Sequence, residues 1–165
     1  MALDLFTLDE RVALVTGGNG GLGRAMALGL QRAGATVLVT GRNAEKNQAI
    51  AAELGSSERV YELEVRDEAA VAATMAQIVE RWGRLDILVN NAGLTQRVSA
   101  LELSQSDWER VIGGNLTGTF LCAKHAARAM VAQGQGGKII NMGSMYSVFG
   151  APSGASYTSS KTPPR

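Results

Sequence analysis

The sequence predicts a single α/β domain built on a parallel sheet with helices on both faces. Short apolar runs alternate with longer stretches of helical periodicity, in the order βαβαβαβαβ. Most of the apolar runs are too continuous in Val, Ile and Leu for half-exposed strands, and the links between elements are short. A chain of 165 residues is also the length of one domain rather than two. Together these observations predict a doubly wound fold.

The order of the elements can be followed along the chain. The predicted strands are Val12 to Thr16, Thr36 to Thr40, Val60 to Val65, Leu85 to Asn90 and Lys138 to Met142. The predicted helices are Leu22 to Ala33, Asn43 to Gly55, Asp67 to Trp82 and Ser106 to Gln133. Gly34 ends the first helix, and Gly134 follows the last, for which Ser104 or Ser106 is the candidate cap.

The composition indicates a globular protein and excludes some classes of partner. Hydrophobic residues make up 45% of the chain and charged residues 19%, which is enough apolar material for a substantial core. The 16 Lys and Arg residues nearly balance the 15 Asp and Glu residues, so neither a nucleic acid nor an anionic membrane is expected as a partner. The single cysteine, Cys122, excludes an internal disulfide framework and favours a reducing compartment. With no signal peptide or membrane-spanning run predicted, we expect a cytoplasmic protein.

The turn after the first strand is rich in glycine and reads Thr16-Gly17-Gly18-Asn19-Gly20-Gly21-Leu22-Gly23. Glycine suits this turn because the backbone angles are unusual and because a pyrophosphate must approach bare N–H groups at the positive end of a helix. Two registers fit: Gly18, Gly20 and Gly23 form G-x-G-x-x-G, and Gly17, Gly21 and Gly23 form T-G-x-x-x-G-x-G. Because a strand precedes it and a helix follows, the turn indicates a dinucleotide site rather than a merely flexible loop.

The end of the second strand bears on the choice between NAD and NADP. An acid at this point would bind the ribose 2′-hydroxyl of NAD, but the sequence has Thr40-Gly41-Arg42 and no acid until Glu45. The planar guanidinium of Arg42 suits the 2′-phosphate of NADP. NADP is therefore favoured over NAD, although a solvated surface arginine explains Arg42 equally well.

Polar and small residues also follow the fourth strand, in the segment Asn90-Asn91-Ala92-Gly93. Ligands of open parallel sheets gather beyond the carboxyl ends of the strands. Two asparagines can satisfy neighbouring backbone groups, and Ala-Gly lets a cofactor lie close to the backbone. The alternative is an ordinary turn capped by asparagine.

Tyr157 and Lys161 are four residues apart, a spacing that places both on one face of a helix. A neighbouring ammonium and a nicotinamide cation both favour the phenolate form of a tyrosine. Tyr157 can therefore act as a general acid in carbonyl reduction and as a base in alcohol oxidation. Ser144, just past the fifth predicted strand, can donate a hydrogen bond to the substrate oxygen.

The ordered set of motifs resembles the short-chain dehydrogenases/reductases over nearly the whole chain. The residues that carry the resemblance are Thr16–Gly23, Asn90–Gly93, Asn115, Ser144 and Tyr157-x-x-x-Lys161. It implies a Rossmann-type sheet of order 3-2-1-4-5, with Asn115, Ser144, Tyr157 and Lys161 as catalytic residues. It also implies that Lys161 holds the cofactor ribose, that Ser144 and Tyr157 contact the substrate, and that Asn115 reaches the lysine through a water in a proton relay. The alternative for Asn115 is a buried amide satisfied within the core.

The expected cofactor contacts lie mostly on the turns that follow the strands. They are Gly17, Asn19, Gly20, Gly21, Leu22, Gly23, Arg42, Glu64, Val65, Asn91, Ala92, Gly93, Tyr157 and Lys161. No cluster has metal-ligand spacing, so no metal is expected. His125 and Cys122 are interpreted as structural.

These residues predict an oxidoreductase that transfers a hydride between NADP(H), or less strongly NAD(H), and a carbonyl/secondary alcohol substrate. The segment Gly136 to Met145 is similar to that of the family's gluconate dehydrogenases, which favours a sugar acid. The 3-oxoacyl carrier-protein reductases share most of the same motifs and are an alternative.

The family pattern continues well past Lys161, whereas this sequence ends at Arg165. We therefore expect an incomplete domain without the last strands and the substrate lid. Pro163-Pro164 halts a helix, so Tyr157 and Lys161 are expected on a single helical turn. The fifth strand is expected to be an apolar edge, and part of the surface through which the family forms homo-oligomers is expected to be absent. A catalytically inactive nucleotide-binding module is therefore a second alternative.

Overall fold

The computed structural model describes residues 6–161 and contains a five-stranded parallel sheet. The strands are β1 (Val12–Thr16), β2 (Thr36–Gly41), β3 (Val60–Glu62), β4 (Ile87–Asn90) and β5 (Lys138–Asn141). The sheet order is β3-β2-β1-β4-β5, which confirms the predicted doubly wound architecture. β1 lies at the centre, where it pairs with β2 from Val12↔Thr36 to Thr16↔Thr40 and with β4 on its other side.

The described residues also form six α-helices. They are α1 (Gly21–Arg32), α2 (Ala44–Leu54), α3 (Glu68–Trp82), α4 (Gln105–Ile112), α5 (Gly118–Ala132) and α6 (Ala155–Lys161). Of these, α1, α2, α3 and α5 pack on the sheet and α4 packs with α6. Side chains of Asn43, Asp67 and Ser104 cap α2, α3 and α4 by accepting a hydrogen bond from the backbone three residues on. Ser104 is therefore the cap of the long helical region, rather than Ser106.

Alternate residues of the central strands enter two separate hydrophobic clusters. Leu14, Leu38 and Leu88 pack with α3 and α5 on one face of the sheet. Val15, Val39 and Val89 pack with α1 and α2 on the other. Strands buried on both faces need apolar side chains at successive positions, which is why these runs have no polar alternation.

The predicted helix from Ser106 to Gln133 is interrupted in the structure. A π-helical segment, Gly113–Thr117, separates α4 from α5. The turn is widened by one residue there, and its member Asn115 is buried among backbone groups of the neighbouring loop. The apolar periodicity continues through this segment, so the interruption leaves little trace in the pattern.

Three strands are shorter than predicted, and β5 differs least, since it ends at Asn141 rather than Met142. β3 ends at Glu62 rather than Val65, because its partner β2 ends at Gly41 and leaves the following residues no strand to pair with. β4 begins at Ile87 rather than Leu85. Leu85 instead forms hydrogen bonds through its backbone N–H and C=O with the side chain of Gln133.

The edge strand β5 is exposed along its whole length, unlike the central strands. It pairs with β4 alone among the described residues, and Ile139 and Ile140 are 36% and 48% exposed. The apolar edge expected from the sequence is therefore confirmed. In the described range, no helix is both long enough and apolar enough to span a bilayer.

Tyr157 and Lys161, the predicted catalytic pair, lie on α6, which begins two residues before Tyr157 and so extends beyond the single turn expected. The expected effect of Pro163-Pro164 concerns positions outside the described residues.

Candidate active site

A cleft of about 610 Å³ opens at the carboxyl ends of the strands. It brings together twelve of the residues predicted to contact a cofactor: Gly17, Asn19, Gly20, Gly21, Leu22, Gly23, Arg42, Glu64, Val65, Asn91, Ala92 and Gly93. The two other predicted contacts, Tyr157 and Lys161, lie outside the lining of this cleft. The position agrees with the rule that ligands of open α/β sheets bind beyond the carboxyl ends of the strands, where the strand order reverses.

The glycine turn has the backbone geometry of the T-G-x-x-x-G-x-G register. Gly17 and Gly21 have φ of +63° and +51°, which side chains other than glycine rarely adopt. Gly23 has an ordinary φ, but a Cβ atom there would collide with the carbonyl oxygen of Gly17 and the side-chain amide of Asn91. In the other register, Gly18 is also closely packed, because a Cβ atom there would collide with Val39, but Gly20 has an extended backbone (φ −170°) and space around it. That register therefore accounts for two of its three glycines.

Asn91 holds this turn from the neighbouring strand. Its amide Nδ2 donates to the carbonyl oxygens of Thr16 and Gly17, at 3.0 and 3.1 Å. The hydroxyl oxygen of Thr16 in turn accepts from the backbone N–H groups of Asn91 (3.1 Å) and Ala92 (3.0 Å). The two motifs therefore form one structural unit, and the asparagine does more than cap its own turn.

The charged residues of the cleft cluster around Glu64. Its Oε2 atom accepts from Arg42 Nη1 at 2.8 Å and from Arg66 Nη2 at 3.1 Å. Burial alone would raise the pKa of Glu64, but the hydrogen bonds from Arg66 and Arg42 outweigh it and lower that pKa to about 2. Glu64 is therefore a carboxylate at neutral pH and neutralises part of the positive charge at this end of the cleft.

Sequence reasoning missed several residues that line the cleft, notably Lys46, Arg66 and Arg110. Lys46 lies in the first turn of α2, near the glycine turn, and its place just after the end of β2 was the signal available in the sequence. Asn47, also missed, accepts from Asn19 Nδ2 at 2.7 Å and donates to the carbonyl of Gly41 at 3.0 Å. It thereby joins the glycine turn to the end of β2.

A second, smaller cavity of about 210 Å³ is lined by Ser144 and Tyr157. Ser144 caps a short 3₁₀ turn, Met145–Ser147, and its hydroxyl accepts from the N–H of Tyr146 at 3.2 Å. The ring of Tyr146 meets that of Tyr157 edge to face, with 6.2 Å between centroids. The predicted hydrogen-bond donor and the predicted acid/base therefore face one cavity.

Lys161 lies on the last turn of α6, and its side chain reaches the end of β5. Its Nζ atom donates to the carbonyl oxygen of Met142 at 2.8 Å, and burial lowers the pKa of the ammonium. The carbonyl oxygen of Lys161 accepts from Ser147 Oγ at 2.5 Å, which ties the end of α6 to the Ser144 turn. The lysine is thus held in a defined position by groups from two elements.

Asn115 is 3% exposed, and its amide forms three hydrogen bonds. Its Oδ1 accepts from Leu94 N–H at 2.7 Å, and its Nδ2 donates to Leu94 C=O and Ser160 Oγ, both at 2.9 Å. These bonds link the π-helical segment to the loop after β4 and to α6. They account for the burial of this amide, and the water relay to Lys161 stays a prediction.

Cys122 and His125 were interpreted as structural, and the structure buries the first and gives the second a partner. Burial raises the pKa of Cys122 to about 12, which keeps it a thiol. His125 Nε2, on α5, lies 3.2 Å from Glu68 Oε1 on α3.

Comparison with known proteins places these features in context. The family model for the short chain dehydrogenases matches residues 11–163. A sorbitol dehydrogenase of Cereibacter sphaeroides is 42% identical over 137 residues, which are 83% of this chain and 54% of the relative. A 2-dehydro-3-deoxy-D-gluconate 5-dehydrogenase of Escherichia coli is 41% identical over 165 residues, which are 98% of this chain and 64% of the relative.

The fold has close structural counterparts as well. The crystal structure of gox2181 superposes with a TM-score of 0.91 at 29% identity, covering 98% of this chain and 65% of that one. The chain thus spans less than two thirds of the length of these relatives.

Proposed function

The chain belongs to the short-chain dehydrogenase family, and from this premise we propose that it binds NADP(H) and transfers a hydride between this cofactor and a carbonyl/secondary alcohol substrate. The observation that carries the proposal is the joint lining of one cleft by the glycine turn, Arg42 and the segment Asn91–Gly93. NAD(H) is the alternative cofactor. The activity of the whole protein is part of this proposal, because the chain covers 54–64% of the two curated relatives.

The residues of the cleft fit a dinucleotide. Because Gly23 has no Cβ atom, the start of α1 packs closely against the carbonyl of Gly17 and the amide of Asn91. The first turn of α1 begins at Gly21, so its free backbone N–H groups and the positive end of the helix face the space that a pyrophosphate needs. A volume of about 610 Å³ also lies within the range of roughly 300–1,000 Å³ that is typical of ligand pockets.

The preference for NADP rests on the positive charge at the end of β2. Arg42 and Lys46 both line the cleft there, and a 2′-phosphate is attracted by each. The carboxylate of Glu64 already accepts from Arg42, so a 2′-phosphate has to share that guanidinium or displace Glu64. NADP is still favoured, because two cations remain at this position and no carboxylate follows β2 directly.

The chemistry proposed for the smaller cavity uses Ser144, Tyr157 and Lys161. When bound, the nicotinamide supplies or accepts the hydride. Tyr157 donates a proton to the carbonyl oxygen in reduction and removes it from the hydroxyl in oxidation, while Ser144 donates a hydrogen bond to the same oxygen. Lys161, held by Met142 C=O, stabilises the negative charge on the Tyr157 oxygen and binds the ribose. Asn115 positions α6 through Ser160 and, in the proposed relay, a water toward Lys161.

The substrate proposed is a sugar acid. It is supported by the similarity to the 2-dehydro-3-deoxy-D-gluconate 5-dehydrogenase of E. coli over 98% of this chain. A 3-oxoacyl carrier-protein reductase activity is the alternative that the shared motifs leave open.

The first experiment is titration of the 165-residue chain with NADPH and, in parallel, NADH, followed by nicotinamide fluorescence. Saturable binding with a lower Kd for NADPH is expected. No binding of either cofactor by a chain that is folded by circular dichroism would refute the proposal.

The catalytic role of Tyr157 is tested by Tyr157→Phe. Reduction of ketones, with keto-gluconates and acetoacetyl thioesters in the panel, should fall by about 10²-fold or more, because the proton donor is lost. NADPH affinity should change little, which serves as the control for folding. Turnover equal to that of the unsubstituted chain would show that another group transfers the proton.

A further inference from the structure

Among the described residues that line the smaller cavity, Arg97 alone carries a formal charge, and we infer that it binds a carboxylate group of the substrate. This inference rests on the proposed function and narrows its substrate class to carboxylated polyols and their keto acids. It concerns a side chain outside the set Asn115, Ser144, Tyr157 and Lys161.

The position of Arg97 is fixed by its neighbour in the chain. The backbone N–H of Val98 donates to the carbonyl oxygen of Ser153 at 3.1 Å, and Val98 forms a parallel bridge with Gly154. Ser153 and Gly154 line the cavity as well. The loop after β4 is therefore attached to the segment that leads into α6, and Arg97 is held at the wall of the cavity that Tyr157 also lines.

The charge of Arg97 is available to a ligand. Within residues 6–161 no carboxylate forms an ion pair with Arg97, and its side chain is exposed. Arg110, on the adjacent helix, differs in this respect: its Nη2 atom donates to Gln96 at 2.6 Å and to Asp107 at 3.1 Å. Two arginines thus lie near the same loop, but the structure neutralises only one of them.

The chemistry of the cavity matches a small polyhydroxy acid. A guanidinium binds a carboxylate through two parallel hydrogen bonds, which fixes orientation as well as charge. Hydroxyl groups of Thr95, Tyr146 and Ser153 also line the wall and can pair with substrate hydroxyls. The volume of about 210 Å³ is below the roughly 300–1,000 Å³ of drug-sized pockets, which favours a small polar substrate over an acyl chain.

The two curated relatives are named for substrates that differ in charge, and Arg97 distinguishes between these substrates. One relative is named for sorbitol, which is neutral, and the other for 2-dehydro-3-deoxy-D-gluconate, which carries a carboxylate. A neutral polyol would leave the guanidinium without a counter-charge in the complex. Arg97 therefore assigns this chain to acidic substrates.

The test compares D-gluconate with D-sorbitol, a neutral polyol of the same carbon number, by calorimetric titration of the full chain in the presence of saturating NADPH. Arg97→Ala is expected to weaken gluconate binding by about tenfold or more and to change sorbitol binding by less than about twofold. Arg97→Lys should fall between, because it keeps the charge and loses the planar fork. Arg128→Ala removes an exposed arginine of α5 that lines neither cavity and is the matched control.

The inference is overturned if Arg97→Ala leaves gluconate affinity unchanged or weakens both ligands by the same factor. It is also overturned if the unsubstituted chain binds no gluconate, or binds sorbitol as tightly. Failure of the proposed function has a different signature. Arg97-dependent gluconate binding by a chain that reduces no ketone would refute the hydride-transfer proposal and leave the carboxylate site standing.

Discussion

At the scale of single residues, the glycine turn depends on close packing more than on flexibility. Gly23 and Gly29 lie on the same helix, α1, and both have ordinary helical backbones. A Cβ atom at Gly23 would collide with the Gly17 carbonyl and Asn91, whereas one at Gly29 would meet nothing within 4 Å. A substitution at Gly23 therefore tests the close packing of α1 against the glycine turn, and one at Gly29 tests helix propensity alone.

We predict that Gly23→Ala opens the turn and abolishes cofactor binding, while Gly29→Ala stabilises the chain. Alanine in a helix interior is favoured over glycine by about 0.5–1 kcal/mol, and only Gly29→Ala is able to realise this gain. Urea unfolding and NADPH titration measure the two effects. Equal NADPH affinity in both variants would contradict the packing argument.

A second prediction at this scale concerns the pH dependence of the Glu64 cluster. The folded pKa of Glu64 is lowered from 4.5 to about 2 by its arginine partners, so the unfolded chain binds the proton more readily. The stabilisation is therefore present above pH 4.5 and is lost as the pH falls from there toward about 2. The difference in urea midpoint between the unsubstituted chain and Glu64→Gln should be largest near neutral pH and should shrink below about pH 4.5.

Glu102→Gln is the control for this measurement, because Glu102 is exposed on a loop and none of the residues 6–161 forms an ion pair with it. A Glu64→Gln difference that stays constant with pH would show that the arginines do not stabilise the carboxylate. Salt should weaken the effect as well, because Arg42 and Arg66 are largely exposed.

The sequence predicted the backbone part of the cleft better than its charges. Gly17, Gly21 and Gly23 were identified because strand, turn and helix follow one another directly in the chain. The charges depend on the distance between the end of β2 and the segment after β3, and no local pattern in the sequence gives that distance. It determines that Arg42 pairs with Glu64 and that Lys46 and Arg66 line the same cleft. Arg97 has no motif around it, and only the fold brings it to the cavity of Tyr157.

At the scale of secondary structure, the π-helical segment Gly113–Thr117 holds the loop after β4. Asn115 supplies the hydrogen bonds to both backbone groups of Leu94. We predict that Asn115→Ala lowers the free energy of unfolding by about 1–3 kcal/mol, since it leaves the partly buried backbone groups of Leu94 without a partner. Leu116→Ala, on the same turn but 48% exposed, should change stability by no more than about 0.5 kcal/mol.

Urea unfolding of the two variants measures this contrast directly. Equal losses would mean that the segment is stabilised by apolar packing, and the hydrogen bonds of Asn115 would then contribute little. The sequence predicted helix on both sides of this segment because the apolar stripe continues through it. It did not predict the π turn, because the widening follows from the partners that Asn115 finds in another loop.

At the scale of the whole molecule, the sheet has one edge that is apolar and uncovered in the described residues. β5 presents Ile139 and Ile140 with exposures of 36% and 48%, beside a row of backbone groups that have no partner strand there. Such an edge is a template for pairing with another chain. We predict that the 165-residue chain self-associates as its concentration rises, and that Ile140→Lys reduces this association.

Light scattering against concentration is the measurement, and Val131→Lys is the control. Val131 is 79% exposed at the end of α5 and lies outside the strand, so its substitution adds the same charge without altering the residues of β5. If both variants reduce association equally, net charge rather than the strand edge is responsible.

The architecture itself was predictable from the sequence to a large extent. Element order and strand periodicity indicated a parallel sheet, and the strand order 3-2-1-4-5 came from the family resemblance. The exposure of β5 was expected from the family resemblance and not from its own Ile-rich pattern, because an apolar pattern shows which residues suit burial and not whether another element covers them.

The link between the glycine turn and Asn91 has a consequence for the order of events during synthesis. The two hydrogen bonds that Asn91 donates join positions 74 and 75 residues apart. At about 5–20 residues per second, a ribosome needs about 4–15 s to extend the chain from one to the other. During that interval the residues of β1, α1 and β2 have been synthesised, but the carbonyls of Thr16 and Gly17 lack the donor that Asn91 supplies. We therefore expect a nascent chain to bind a nucleotide only after residue 91 has emerged.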